Sequence, residues 1–191
     1  MPLEAPSPML DRKAIFGGLA LGFAVAASAG EAGETYGLGR IATPEEITGW
    51  DIDVSPDGAG LPVGRGDVSR GETIFAAKCA GCHGSHGEGK PADRLVGGFG
   101  TIFELKPTKT VGSFWPYPTT LFDYVRRAMP LDAPQSLTAD EVYAVCAYIL
   151  FLNGILPEGA ALDAATLSKV EMPNRAPFVS AYSPLAGRAE R

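Results

Sequence analysis

The sequence predicts an all-α domain with extended arms at both ends. Two helical patterns and the composition predict it. A capped apolar stripe runs from Thr138 to Leu152, and a shorter periodic stretch from Asp67 to Lys78 leads straight into Cys79-Ala80-Gly81-Cys82-His83. With 24 glycines and 16 prolines among 191 residues, the remainder reads as loops with few long regular elements. Strand-like alternation occurs at Trp50-Asp51-Ile52-Asp53-Val54, which is too short and too close to Pro56-Asp57-Gly58 to be more than an extended arm.

The first element is an export signal. Arg12 and Lys13 precede an apolar run from Ala14 to Ala27, and Ala27-Ser28-Ala29 supplies small residues for cleavage near Gly30. The run is short for a bilayer span, so residues 1–29 read as a signal peptide, with an uncleaved anchor as the alternative. Residues 30–66 form an N-terminal arm, either a poorly ordered leader or a segment that lies on a partner. Within it Thr43-Pro44-Glu45-Glu46 starts a short helix: a capping hydroxyl, proline at the first helical position, and acids in the first turn.

The core domain spans residues 67–154. Asp67 or Ser69 caps its first helix, which places Val68, Ile74, Phe75 and Ala76–Ala77 on one face. Gly71 costs about 1 kcal/mol relative to alanine inside a helix. Its presence therefore points to a close backbone approach by another helix. The Cys79/Cys82/His83 pattern is that of covalent haem attachment. Two thiols form thioethers to the porphyrin, and the adjoining imidazole is carried beneath the iron as its proximal ligand. Such haem is attached outside the cytoplasm, which agrees with the export signal and implies a periplasmic protein. Gly84, Gly87 and Gly89 make the following stretch a loop. His86 lies too near His83 to reach the opposite haem face and reads as exposed. Pro91 or a carbonyl near it would accept the second ring N–H of His83.

Trp115 and Tyr117 carry polar tips that need partners when buried; haem propionates would serve, against a plain aromatic cluster. Thr119 or Thr120 caps a helix over Leu121 to Ala128, ended by Met129-Pro130. A thioether just past a helix end is placed to become the sixth ligand, and His/Met ligation favours electron transfer over chemistry at iron. Met172 is its rival. Arg126 reads as a propionate partner and Arg127 as a residue facing a redox partner, with solvated helix residues as the alternative for both. In the last helix Thr138 and Glu141 form a capping box, Val142, Val145, Cys146, Ile149 and Leu152 form the stripe, and Asn153-Gly154 ends it. Cys146 is then a small core residue. Residues 155–191 are a C-terminal extension with a short helix over Asp163 to Val170, read as a disordered tail or a partner-wrapping arm.

The formal charge of −6 leaves no basic surplus to neutralise phosphates, which excludes nucleic-acid binding. One cysteine pair cannot supply the four ligands of structural zinc. The pair ends a helix and opens a glycine loop, unlike a redox CxxC that follows a strand.

The stretch from Gly71 to Asn153 resembles class I cytochromes c. Thr110-Val111-Gly112-Ser113-Phe114-Trp115-Pro116-Tyr117, Phe122-Asp123-Tyr124-Val125-Arg126-Arg127-Ala128-Met129-Pro130 and Ala133-Pro134-Gln135-Ser136-Leu137-Thr138 are similar to the SoxD family, the cytochrome c subunits of sulfane dehydrogenase in bacterial sulfur oxidation. The similarity runs from about Gly37 to Asn174. It implies one covalent haem c, an electron-transfer subunit rather than an enzyme, and a molybdenum-containing SoxC-type partner that delivers the electrons. A downstream acceptor, such as another cytochrome c, would take them on. A single haem motif departs from the two-haem members. Alternatives are a freestanding shuttle for another periplasmic dehydrogenase or oxidase, and a haem enzyme or sensor with an open iron site.

Overall fold

The computed structural model describes residues 38–178; the segment read as an export signal and the last residues of the chain lie outside them. The body formed from Ala42 onward is built around one helix, α5 (Ala139–Leu152). Every residue from Val142 to Leu150 is buried, so α5 is apolar all round rather than along a stripe. α2 (Val68–Lys78), α4 (Pro118–Ala128) and two short strands pack against it. Thr138 caps α5 through the backbone N–H of Glu141, and the Glu141 carboxylate accepts from the Thr138 N–H at 2.8 Å, closing the capping box.

The approach of α2 to α5 is as close as Gly71 implies. A Cβ on Gly71 would run into the carbonyl oxygen of Ala144 and would stand 2.8 Å from Cβ of Tyr148. Gly66, in the strand β1 (Arg65–Asp67), meets the backbone of the same Ala144. Two glycines thus let two elements rest on the main chain of α5, and Phe75 lies against Tyr148 with ring centroids 5.3 Å apart. Asp67 is the N-cap of α2, accepting from the N–H of Arg70 at 2.8 Å. Val68, Gly71, Ile74 and Phe75 are its buried residues, whereas Ala76 and Ala77 are exposed: the apolar face is narrower than the sequence suggests.

The arm and the extension differ most from expectation. α1 (Pro44–Trp50) forms with the expected cap, Thr43, and a complete capping box, yet none of its residues is buried. From Ile52 to Pro62 the chain lies on its own domain. The Val54 N–H donates to Asp123 at 3.0 Å, the Thr119 hydroxyl to the Pro56 carbonyl at 3.4 Å, and the Tyr143 hydroxyl to the Pro62 carbonyl at 2.9 Å. Beyond α5, the expected helix over 163–170 is instead a strand, β2 (Ala161–Asp163), and one 3₁₀ turn (Leu167–Lys169). β2 pairs antiparallel with β1, Gly66 opposite Leu162. Leu162, Leu167 and Met172 are buried in the main core. Neighbours outside 67–154 therefore complete the covering of α5.

α4 starts one turn earlier than the threonines suggest: Tyr117 is the N-cap and Pro118 occupies the first turn. Thr119 is fully buried. No helix among the described residues is long and apolar enough to cross a membrane.

Candidate haem site

Cys79 ends α2 and begins the four-residue helix α3 (Ala80–His83). Residue Gly84 then takes φ +83°, which stops the helix and turns the chain back over it. The returning loop fastens to the motif's own carbonyls: Gly89 N–H to His83 at 2.7 Å and Ala92 N–H to Cys82 at 2.9 Å. Nδ1 of His83 lies 2.8 Å from the carbonyl oxygen of Asp93. A carbonyl can only accept, so Nδ1 carries the proton, and in the neutral ring Nε2 keeps its lone pair. The ring is thereby fixed in the tautomer that binds a metal through Nε2. The acceptor is two residues beyond Pro91, within the stretch the sequence indicates.

Cys79 is partly buried against the core, and burial pushes its thiol up to about 11; Lys78 opposes that shift and Cys82 adds to it. Cys82 is exposed, and His86 is exposed as expected. Cys146 is fully buried in α5, which raises its thiol well above the usual range, as befits a core residue.

Met129 is the C-cap of α4. Its N–H still donates to the Val125 carbonyl at 3.2 Å while its backbone is extended (φ −122°, ψ 147°). Its side chain is half-buried against the core, as are Leu95 and Trp115. Met172, the rival thioether, is 4% exposed within the core and so has a packing role already. The Trp115 ring stands edge-on to Tyr124 with centroids 5.9 Å apart. Tyr117 lies under the guanidinium of Arg175, 5.3 Å from the ring centre. Arg126 reaches the Ile52 carbonyl at 3.4 Å, and Arg127 pairs with Asp123 at 2.9 Å and Asp53 at 2.8 Å.

Two polar clamps that the sequence reading passes over hold the walls. Asn153 does more than end α5. Its amide donates to the Leu95 carbonyl at 3.2 Å and accepts from the Gly97 N–H at 3.3 Å. Thr110 and Ser113, both buried, tie the segment before Trp115 to the same loop: the Thr110 hydroxyl donates to Gly97 at 2.6 Å and that of Ser113 to Thr108 at 2.7 Å. A buried Thr-x-x-Ser and an Asn at a helix end were the available signals; the partners of Asn153 lie 56 and 58 positions away and that of Thr110 lies 13 away, whereas Ser113 bonds within its own turn.

The donor set fits a haem c: two thiols one turn apart, an imidazole with Nε2 left free, and a thioether on a helix end beside the core. Tyr124 and Leu131, on either side of Met129 in sequence, are 48% and 79% exposed. A helical body of this type carrying this turn is the class I cytochrome c fold, whose function is electron transfer.

Residues 66–149 match the family model for cytochrome c oxidase, cbb3-type, subunit III. Over 82% of its length and 80% of the other's, the chain is 40% identical to a chain of the crystal structure of the sulfane dehydrogenase SoxCD from Paracoccus pantotrophus, with a TM-score of 0.71. It is also 31% identical, over 91 residues, to a thiosulfate dehydrogenase of Stutzerimonas stutzeri; that match takes in 46% of this chain and only 28% of the relative. The chain belongs to the cytochrome c family of SoxD, the cytochrome subunit of SoxCD.

Proposed function

We propose that the protein is a periplasmic mono-haem cytochrome c that accepts electrons from a SoxC-type molybdenum dehydrogenase during sulfur-compound oxidation. Cys79 and Cys82 anchor the porphyrin, His83 and Met129 hold the iron, and Trp115, Tyr117 and Arg126 are the candidates for propionate contact. The observation that carries the reading is Nδ1 of His83 held by the Asp93 carbonyl, inside a chain that matches one chain of the SoxCD structure over four-fifths of both lengths. When bound, haem c takes up and releases one electron at a time, which suits a partner whose substrate oxidation releases electrons in pairs.

The protein's own residues supply what surrounds that exchange. Asp93 orients the proximal imidazole. The Gly97 clamps of Asn153 and Thr110 hold the Leu95 wall, and α4 presents Met129. Held by His83 and Met129, the iron would serve electron transfer rather than substrate chemistry; oxidation of the sulfur compound would then fall to the partner chain, and a further cytochrome c would take the electrons onward. α1 is the surface assigned to that partner. Seven residues are too few to persist as a helix in water alone, and Ile47 and Trp50 stand 53% and 84% exposed on it. Residues after α1 make up less than 82% of the chain, so the match to SoxCD reaches back into it.

The test is mass spectrometry and optical spectroscopy of the exported protein, with recovery of its partner from the native periplasm. One added haem, a sulfur-to-iron charge-transfer band in the ferric state, and a co-purifying molybdenum protein are expected. No added tetrapyrrole would end the reading. A high-spin ferric spectrum without the sulfur band would favour an open-site haem protein, and holoprotein that leaves the periplasm alone would favour a freestanding shuttle.

A further inference from the structure

The outer side of α4 is covered by the arm. Ile52, Asp53, Val54 and Pro56 hydrogen-bond or ion-pair with Arg126, Arg127, Asp123 and Thr119, while Leu121, Phe122 and Val125 of the same helix face the core. The centre of this strap is Asp123. One of its oxygens accepts both the Val54 N–H at 3.0 Å and the Arg127 guanidinium at 2.9 Å, and Arg127 continues to Asp53 at 2.8 Å. The strapped residues reach to the last turn of α4, two residues before Met129. The N–H of Met129 closes that turn on Val125.

We infer that Asp123 is a positioning residue: it holds the arm across α4 and so keeps Met129 seated on the iron against local opening of the helix end. This rests on the reading of Met129 as the sixth ligand. A helix end opens at a lower free energy than the whole fold. At this end the turn leading to Met129 is braced on one side by the core and on the other by the strap. Without the strap, the last turn would have only its core side and its own backbone hydrogen bonds. Release of the thioether would then be easier while the body of the protein stayed folded. The Asp123 side chain is 27% exposed and that of Arg127 36%, so solvent screens the ion pair and much of the effect comes from the backbone hydrogen bond to Val54.

The test uses ferric holoprotein titrated with imidazole, which binds only when Met129 has left the iron. Asp123→Ala is expected to bind imidazole about tenfold more tightly than the parent, a shift of about 1.4 kcal/mol in the thioether-off equilibrium, and to exchange its Met129 amide proton faster. Asp123→Asn keeps an acceptor for Val54 and loses the ion pair, so it is expected to fall between; it also serves if the alanine variant does not fold. Asp67→Ala removes the cap of α2 and weakens the fold away from α4, and is expected to leave imidazole affinity unchanged. Equal affinity in the parent and in both Asp123 variants would overturn the inference. So would a tightening no larger than that of Asp67→Ala. Met129→Ala separates the two ideas: if it retains the sulfur band, the ligand assignment fails, whereas loss of the band there with no response at Asp123 defeats the strap alone.

Discussion

Replacing Gly71 by alanine should destabilise the protein even though alanine is the better helix former. The change has two favourable parts. Helix propensity contributes about 1 kcal/mol, and burial of a methyl group about 0.8 kcal/mol. Against them stands an overlap that no rotamer relieves, because the new Cβ meets main chain. It falls on the Ala144 carbonyl oxygen and within 2.7 Å of its carbon, with Tyr148 Cβ at 2.8 Å. Relief needs α2 to lift from α5 by about 1 Å at the crossing. That loosens Val68, Ile74 and Phe75, which are all buried there. Overpacking of this kind costs typically about 1–3 kcal/mol, occasionally more, and contact with backbone puts Gly71 at or above the upper end. With the cost at or somewhat above that upper end, the net loss works out at about 1–2 kcal/mol, or a fall in Tm of roughly 2–8 °C for a chain of this size. Thermal unfolding of the holoprotein followed by far-ultraviolet circular dichroism measures it. Gly49→Ala is the control, since a Cβ there meets nothing within 4 Å. A Gly71→Ala protein that melts at or above the parent would refute the packing argument, because propensity would then have outweighed the helix contact.

Met172→Ala should lose about 2–5 kcal/mol as a core truncation while leaving the ferric spectrum intact. Met129→Ala should instead remove the sulfur band and lower the reduction potential, and the two spectra side by side decide between the thioethers. Trp50→Ala should reduce recovery of the partner complex about tenfold with Tm unchanged, since Trp50 is 84% exposed on a helix with no buried residue; unchanged recovery removes α1 from the interface. Glu141→Gln should cost about 1 kcal/mol at neutral pH as a weakened cap. The Glu141 carboxyl is held below its ordinary 4.5 chiefly by the Thr138 backbone N–H, then by Lys78 and the Thr138 hydroxyl. A depressed folded pKa means that the stabilisation is complete above 4.5 and is lost as pH falls through the lower folded value. The gap in Tm between parent and variant should therefore be full at neutral pH and close in acid; a gap independent of pH would count against the capping role.

What could be read from the sequence was local. Thr43-Pro44-Glu45-Glu46 and Thr138 to Glu141 encode their caps within four residues, and both formed as expected. The Cys79–His83 turn carries its chemistry in five consecutive positions, and Gly71 announced a helix contact by being costly where it stood. What could not be read depends on partners far along the chain. Nothing near Pro91 indicates that Asp93 is the residue whose carbonyl meets His83, because the turn geometry after Gly84 decides it. Asp123 looks like any solvated helix acid until Val54 arrives, 69 positions earlier in sequence. Leu162 and Met172 sit among prolines and small residues with no period to mark them, yet they are core.

The same distinction explains why α5 looked one-sided. A stripe at Val142, Val145, Cys146 and Ile149 is what one packed neighbour requires, and α2 would have satisfied it. Tyr143, Ala144, Ala147 and Leu150 are equally buried, and they need cover from other directions. The cover comes from Gly66 resting on Ala144, from Pro62 accepting the Tyr143 hydroxyl, from Phe122 4.5 Å from the Tyr143 ring, and from the strand pair that brings Leu162 into the core. An apolar helix that size, in a small domain, is affordable only if arm and extension close over it. The residues before and after the helices are thus held by the same central element that braces α2, and α2 ends at Cys79. Rigidity at the Cys79–His83 turn is in this way tied to segments with no residue in it.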